Sequence, residues 1–456
     1  MTSDEAWLSR VRRDMRPIYE GVVAALEAAI AEGELQPGDR LPAQRAVAAR
    51  LGVDLTTVTR AYDLARRRGL LEGAVGRGTF VRQRPEEDEG GLVDLSMNLP
   101  PPPDGLSLAT LIGETLTGVL ARTDAARLMA YHPEFGALGQ RRAGAAWLAP
   151  CLGERAPEQV LVAPGAQAAL AAALSTLCRT GDAVLCEPLT YPGFLSVTAQ
   201  LGLRAVACPA DADGVQAEAL KELCARERPV AAYLVPAMQN PTAGTMPEDR
   251  RRDVAQVLDL AGVWLIEDDP YSRLLEAPAP AICSHLTSRF VYIATLAKTL
   301  SPGLRIAYAV TADAADAERL ATALRALALM PPPLMAALAT VWMREGRAEA
   351  LLDAVRREAR ARRAIAAARL PGARGGAESL HVWLPLPPGA SPEHLRTEAQ
   401  RRGLALVTQD AFAATPAAPP GVRVSLGGPG RRAVLDSALS GLAQALDAPG
   451  PRRTVV

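Results

Sequence analysis

The chain has 456 residues, 49% of them hydrophobic, and a formal net charge of zero. That length suits two or three domains with sizeable cores, and the balanced charge excludes nucleic-acid binding by the chain as a whole, leaving room only for a local basic surface. The six cysteines are scattered without a CxxC pair and the four histidines do not cluster with them, which argues against a metal site and for reduced cytosolic thiols.

In chain order, Met1-Thr-Ser-Asp-Glu5 carries no basic-then-apolar signal segment, so a cytoplasmic protein is expected. Residues 1–82 read as one unit. Val22, Val23, Leu26 and Ile30 recur at helical spacing, and Gly33 closes that helix. Leu41-Pro42 opens a second helix that ends near Leu51-Gly52. Asp54 suits the N-cap of a third, Leu55–Arg68, stopped by Gly69. Two strand-like runs follow, at Leu70–Glu72 and Thr79–Val81, separated by Gly73, Gly76 and Gly78. This is the pattern of a winged helix-turn-helix. Residues 1–85 hold 14 arginines against 11 acids, a modest excess suited to a phosphate-facing surface. Thr56, Thr57, Thr59 and Arg60 stand near the N-terminus of the third helix, where short hydroxyls and free N–H groups suit backbone and base-edge contact. A small helical adaptor that packs on protein is the bland alternative.

An acidic, glycine-bearing stretch, residues 83–94, reads as a linker. Beyond it, helices alternate with apolar runs at Val160–Ala163, Ala183–Cys186, Ala231–Val235, Val263–Ile266, Val291–Ala294 and Ile306–Val310. That alternation implies an α/β layered sheet. The apolar stretch around Leu324–Met343 contains Arg325 and the triple proline Pro331–Pro333, so it reads as two buried helices and not a membrane span. A long helix, Glu349–Leu370, carries an arginine cluster at Arg356–Arg363 that reads as a solvated face. It leads to a smaller unit with strands at His381–Leu384 and Val422–Leu426 and a last helix over Arg432–Leu446. Residues 448–456 read as a tail.

Only two of the 50 basic residues are lysines, Lys221 and Lys298. Lys221 looks like a solvated helix position. Lys298 lies in Thr295-Leu-Ala-Lys298-Thr-Leu-Ser-Pro-Gly-Leu-Arg305. Arginine supplies charge but cannot form an imine; a buried lysine can. An imine-forming lysine points to pyridoxal 5′-phosphate (PLP), which needs a carboxylate on its ring nitrogen and an anion site for its phosphate. Asp268 ends an apolar strand, where an open α/β sheet places its ligand crevice. Pro164-Gly165-Ala166-Gln167 stands between strand and helix, suited to phosphate. Arg305 and Thr295 bracket the lysine and suit phosphate oxygens. Tyr191 suits stacking on a flat ring, and Asn240 offers an amide to a ring oxygen. Taken singly, each of these has an ordinary structural reading.

Two resemblances follow from these motifs. Ile30–Pro42, Gln44-Arg45, Leu51-Gly-Val53, Thr56-Thr57-Val58, Ala61-Tyr62 and Gly76-Arg-Gly-Thr-Phe-Val81 resemble the GntR family of winged-helix regulators. This implies DNA contacts from Arg45, Thr56, Thr57 and the Gly76 wing. Leu55 and Thr59 stand where arginines are common, so Arg60 or Arg77 would substitute. Residues 95–447 resemble the fold-type I PLP enzymes of the aspartate aminotransferase superfamily, with a large subdomain at about 105–340 and a small one at about 345–447. The resemblance implies that Lys298 carries PLP as a Schiff base and that Asp268 pairs with the ring nitrogen. Asn240 and Tyr271 would bond the ring hydroxyl, and Tyr191 would stack. Ala166, Gln167, Thr295 and Arg305 would hold the phosphate. Tyr131 would reach the phosphate of a second subunit, implying a homodimer, and Arg423 would clamp a substrate carboxylate. The pairing of the two domains resembles the MocR subfamily. It implies a PLP-dependent transcriptional regulator that binds operator DNA as a domain-swapped dimer and senses an amino acid, an amine or PLP itself. An active aminotransferase with an accessory DNA-binding domain is the alternative.

Overall fold

The computed structural model describes residues 3–11, 17–31, 34–36, 38–74, 78–82, 92–132, 135–387 and 390–446. It divides into two units, Met1–Gly91 and Leu92–Val456. Gly33, the wing-tip residues Gly76 and Arg77, residues 83–91 of the expected linker and the expected tail lie outside the described residues.

The first unit is built from α1 (Ile18–Ala31), α2 (Gln44–Leu51), α3 (Leu55–Arg67), β1 (Leu71–Ala74) and β2 (Gly78–Val81). Val58, Ala61, Tyr62 and Ala65 repeat at helical spacing on α3 and are buried against α1 and α2. The Tyr62 hydroxyl donates to the Pro42 carbonyl at 3.0 Å, giving its buried oxygen a partner. Gly52 ends α2 at φ +64, a left-handed turn that glycine adopts without steric cost. β1 and β2 pair antiparallel, Leu71 opposite Val81. Asp54 occupies the N-cap position of α3 but its side chain makes no capping bond, and α2 begins at Gln44, later than Leu41-Pro42 suggests.

The second unit centres on a seven-stranded sheet. Its strands are β3 (Val160–Ala163), β4 (Ala183–Cys186), β5 (Arg204–Ala207), β6 (Ala231–Leu234), β7 (Trp264–Asp268), β8 (Phe290–Thr295) and β9 (Ala307–Thr311). Their spatial order is β3-β9-β8-β7-β6-β4-β5, and β9 alone pairs antiparallel to its neighbours. Every residue of β3, β4, β6, β8 and β9 is buried. Burial on both faces explains why these strands read as unbroken apolar runs rather than alternating ones. The edge strand β5 is only half buried and lacked a clear signal. The helices α4 (Ala166–Leu177) and α5 (Pro192–Gln200) follow β3 and β4.

α6 (Ala314–Ala328) and α7 (Pro333–Arg344) flank the triple proline. The break falls as expected, but Leu327 and Leu329 at the end of α6 are exposed, so only part of that apolar stretch is core. Among the described residues no helix is long and apolar enough to cross a membrane. α8 (Arg347–Arg369) then leads to a small sheet of β10 (His381–Pro385), β11 (Val407–Thr408) and β12 (Gly421–Ser425), covered by α9 (Arg432–Leu446).

The arginine cluster on α8 corrects the expectation of a solvated face. Arg362 is almost wholly buried. It donates to Glu358 at 2.7 Å and to the carbonyls of Leu426 and Pro429 at 2.8 and 2.6 Å. Arg356 binds the carbonyls of Arg273, Leu274 and Leu275. Arg356 and Arg362 pin the long helix to both subdomains, while Arg357 stays exposed. Removing Arg362 leaves the buried Leu426 and Pro429 carbonyls without this donor and Glu358 with Arg432 as its remaining partner, at a cost of about 3 kcal/mol. Arg362→Ala should therefore lose about that much stability in chemical denaturation, whereas exposed Arg357→Ala should change it little.

Candidate active site and DNA-reading surface

The parallel strands deliver the site. Gly165 follows β3, Tyr191 lies in the loop after β4, Asn240 in the loop after β6, Asp268 ends β7 and Thr295 ends β8. All stand at carboxyl ends, where an open α/β sheet forms its ligand crevice. Lys298 follows β8 in the next turn and faces the same place.

Lys298 is half buried, and its Nζ donates to the main-chain carbonyl of Asn98. Burial, then the positive charges of Arg423 and Arg305, lower its pKa to about 8, with Asp268 opposing. That leaves roughly a tenth of the amine neutral at pH 7, far more than for an ordinary lysine, and the neutral form is the nucleophile. Asp268 is buried. Its Oδ2 accepts from the Tyr233 hydroxyl at 2.6 Å, while Oδ1 has no partner although it too is buried. Burial pushes this carboxyl up to about 6. Neighbouring acids hold the strand end in place. Glu267 accepts from the Ile282 and Cys283 N–H groups. Asp269 accepts from Tyr271 and Ser272 N–H groups and from the Tyr292 hydroxyl.

Arg423, on β12, donates to Asn240 Oδ1 at 2.7 Å and to the Ser96 carbonyl, and its guanidinium lies 5.0 Å from the Phe412 ring centre. Its Nε is buried without a partner. Because Arg423 occupies Oδ1 of Asn240, the amide nitrogen of Asn240 is left to donate elsewhere. Tyr271 is buried, and its hydroxyl accepts from Asn98 Nδ2 at 2.8 Å.

The anion end is as explicit. Helix α4 starts at Ala166 with Gly165 in the N-cap position and no side chain capping it, so its first N–H groups are open to an anion. Gly165 has φ +99, and a Cβ there would lie 2.5 Å from the Arg305 guanidinium. Arg305 itself sits at φ 51, the strained left-handed region, which turns it toward that helix end. Gln167 donates to the Gly193 carbonyl at 3.0 Å, and its Oε1 is buried without a partner. Thr295 is less free than expected. Its hydroxyl accepts from the Ala297 N–H at 3.1 Å and reaches the Ile306 carbonyl at 3.5 Å. Tyr191 is partly buried at the start of α5. Tyr131 is 79% exposed and adds nothing to the site of its own chain.

Three participants escaped the sequence reading: Tyr233, Asn98 and His381. Each is a polar group inside an apolar strand or beside a proline-rich turn, and a buried polar group needs a partner; that was the available signal. A cavity of about 470 Å³ adjoins Gln239 and Leu189 but is not lined by Lys298, Asp268 or Arg423, so a cavity does not by itself mark the site. Among the described residues no cluster suits a metal ion.

In the first unit, Arg45, Thr56 and Arg60 are exposed and Thr57 is half-exposed. Thr59 is engaged within the domain. Its hydroxyl donates to Gln44 Oε1 at 2.8 Å and to the Leu55 carbonyl at 3.0 Å, tying α2 to α3. Thr59 remains half-exposed beside Arg60.

The fold and site define an aminotransferase domain joined to a winged-helix DNA-binding domain. Residues 18–81 match the bacterial regulatory proteins of the gntR family, and residues 111–418 match aminotransferase class I and II. An uncharacterised HTH-type transcriptional regulator, YdeF of Bacillus subtilis, is 29% identical over 97% of both chains. The probable rhizopine catabolism regulatory protein MocR of Rhizobium meliloti is 30% identical, covering 64% of this chain and 65% of its own. The α-aminoadipate aminotransferase LysN of Thermus thermophilus, solved with N-(5′-phosphopyridoxyl)-L-leucine, superposes with a TM-score of 0.71 at 27% identity. That match covers 85% of this chain and 98% of LysN. The chain belongs to the class I and II aminotransferase family and, by its fused GntR domain, to the MocR-type regulators within it. It is a DNA-binding regulator with an aminotransferase-like domain.

PLP, the cofactor of this aminotransferase class, fits the residues present. The unpartnered Asp268 Oδ1 suits a protonated ring nitrogen, and the uncapped α4 terminus beside Arg305 suits a phosphate. Gly165→Ala should displace Arg305 and weaken PLP binding about tenfold, the loss of one charged hydrogen bond, as read by visible absorbance during cofactor titration. PLP uptake by the apoprotein should accelerate as pH rises through about 8, where Lys298 loses its proton. Thr57→Trp should abolish specific DNA binding while leaving cofactor uptake unchanged.

Proposed function

We propose that the protein is a transcriptional regulator that senses an amino acid or amine through Lys298, and that the aminotransferase-like domain serves as a sensor before it serves as an enzyme. When bound, PLP would supply an electrophilic aldehyde within reach of the Lys298 amine, the chemistry through which an incoming amino compound would be recognised. The protein's own residues do the rest. Asp268 holds the proton on the ring nitrogen, the α4 terminus and Arg305 anchor the phosphate, and Arg423 receives the carboxylate of an amino-acid effector.

The observation that carries this reading is the strap Asp94–Asn98. Val93-Asp94 pairs with Leu404-Ala405, and Leu95 bonds Ala405 and Ser425 at 3.0 and 2.9 Å, which ties the strap to the small subdomain. Its Ser96 carbonyl holds Arg423 and its Asn98 carbonyl holds Lys298. Gly427 packs against it so closely that a Cβ would collide with the Leu99 carbonyl. Arg423 and Lys298 are the two groups an amino acid would claim, by its carboxylate and its amine. Binding therefore competes with both strap contacts, and a ligand shifts a conformation only through such differential contacts. The N-terminal end of the strap continues directly into the segment that leads to the DNA-binding domain. On this reading, effector binding at the site would be passed to the segment that leads to the winged helix. The second subunit expected for this fold would supply Tyr131 and a second winged helix, exchanged between subunits.

Addition of amino compounds to the PLP-loaded protein should shift its visible absorbance for the effector without releasing a keto acid. Hydrogen exchange of Ser96–Asn98 should rise severalfold with the same compound and not with others. Sustained keto-acid release with every compound that shifts the spectrum, with unchanged exchange in the strap, would make this an aminotransferase first.

A further inference from the structure

The structure assigns a positioning role to His381 and Asn98: they form a relay that turns the Tyr271 hydroxyl outward as a hydrogen-bond donor to the cofactor's ring oxygen. This rests on the PLP reading of the site and deepens it.

The direction of each bond follows from one fixed acceptor. The Gln239 main-chain carbonyl lies 3.1 Å from His381 Nε2. A carbonyl only accepts, so Nε2 carries a hydrogen. His381 is fully buried, and that burial, with the nearby charges of Arg423 and Lys298, holds its pKa down to about 3. The ring is therefore neutral, and Nδ1 has a lone pair. Asn98 Nδ2 stands 3.1 Å from Nδ1, so it donates there. The second hydrogen of the same amide nitrogen goes to the Tyr271 hydroxyl oxygen, 2.8 Å away. That hydroxyl receives a hydrogen from one side and keeps its own to give on the other. Burial holds the phenol neutral, well above its ordinary range. Were the Asn98 amide turned over, its oxygen would face the Nδ1 lone pair and capture the Tyr271 hydrogen. His381 forbids that orientation.

The tilted ring contact between Tyr271 and His381, with centres 5.7 Å apart, holds the two side chains in register. The groups facing Tyr271 are Arg423 from β12, Asp268 from β7 and Tyr191 from the start of α5. Those facing His381 are Arg423 and Lys298. None of them replaces the Asn98 donor. A donor to the cofactor's ring oxygen stabilises negative charge there and loosens that oxygen's hold on the neighbouring Schiff-base proton.

The test is the pH titration of the visible band of the PLP-loaded, full-length protein. In His381→Leu the Asn98 amide is free to turn and take the Tyr271 hydrogen. The midpoint should rise by about one pH unit, the effect of losing one hydrogen bond to a charged oxygen. Tyr271→Phe should raise it as much or more, and the double variant should go no further than Tyr271→Phe alone. His381→Asn, whose amide oxygen can again accept from Asn98, should restore the wild-type midpoint. An unchanged midpoint in His381→Leu beside a shifted one in Tyr271→Phe would overturn the relay, as would shifts that simply add. Should His381→Leu fail to fold, Asn98→Ala reads the same donor. A rise toward the Tyr271→Phe value supports the relay, and a wild-type midpoint refutes it. A wild-type protein that takes up no PLP and shows no visible band would instead mean that the underlying PLP reading has failed.

Discussion

The organisation of the aminotransferase-like domain follows from one buried carboxylate. Asp268 sits at the end of β7 with one oxygen held by Tyr233 and the other without a partner. An ionised carboxylate in such a place costs several kcal/mol unless a cation meets it, roughly the scale of a broken buried ion pair. The arrangement is tolerated because Glu267, Asp269 and their N–H and hydroxyl donors fix the strand end rigidly around it. A protonated ring nitrogen is the partner that completes it. Everything else at the site is placed around the flat molecule that nitrogen belongs to. Arg305 and the α4 terminus would hold its anion, Lys298 would meet its aldehyde, and Asn240 and Tyr271 would bond its ring oxygen.

Much of this was legible in the sequence, for identifiable reasons. A lysine retained in a chain that otherwise uses arginine, an acid ending an apolar run, and a glycine turn before a helix each reflect chemistry that constrains residue type. The structure brings Lys298, Asp268, Asn240, Tyr271, Arg305 and Arg423 to the carboxyl edge of one sheet. The winged helix was legible because its turns need glycine and its third helix needs an apolar stripe. What was not legible depends on partners distant in sequence. The hydroxyl of Thr59 looked free for DNA but is bound by Gln44 across the turn. Arginines of α8 look solvated by composition, yet Arg362 is buried because carbonyls 64 and 67 residues away surround it. Asn98 and His381 are 283 residues apart and carry no local pattern, so only the fold reveals that they share a hydrogen bond. The half-buried edge strand β5 shows the same limit for secondary structure.

The site gives the molecule its catalytic vocabulary, and the strap gives it a reason to be a regulator. In an enzyme, contacts from Ser96 and Asn98 to Arg423 and Lys298 would merely be displaced by substrate at each turnover. In a chain whose strap runs into the segment leading to a DNA-binding domain, the same displacement would serve as the signal we propose. The size of that signal is limited by how differently the effector binds the two arrangements. A site that grips both the amine and the carboxylate of its ligand has two independent contacts with which to make that difference. Donors on Tyr271 and Asn240, turned outward as we propose, would tune a bound cofactor for exchange with an amine.

If the protein senses as we propose, chemistry at Lys298 controls DNA binding. The most direct measurement is the affinity of the PLP-loaded protein for an operator duplex, selected from random sequence, across a panel of amino acids and amines, for the native chain and for Lys298→Ala. One compound or class should change the native affinity at least tenfold, and Lys298→Ala, still folded and still binding DNA, should no longer respond. An equal response in both proteins would contradict it.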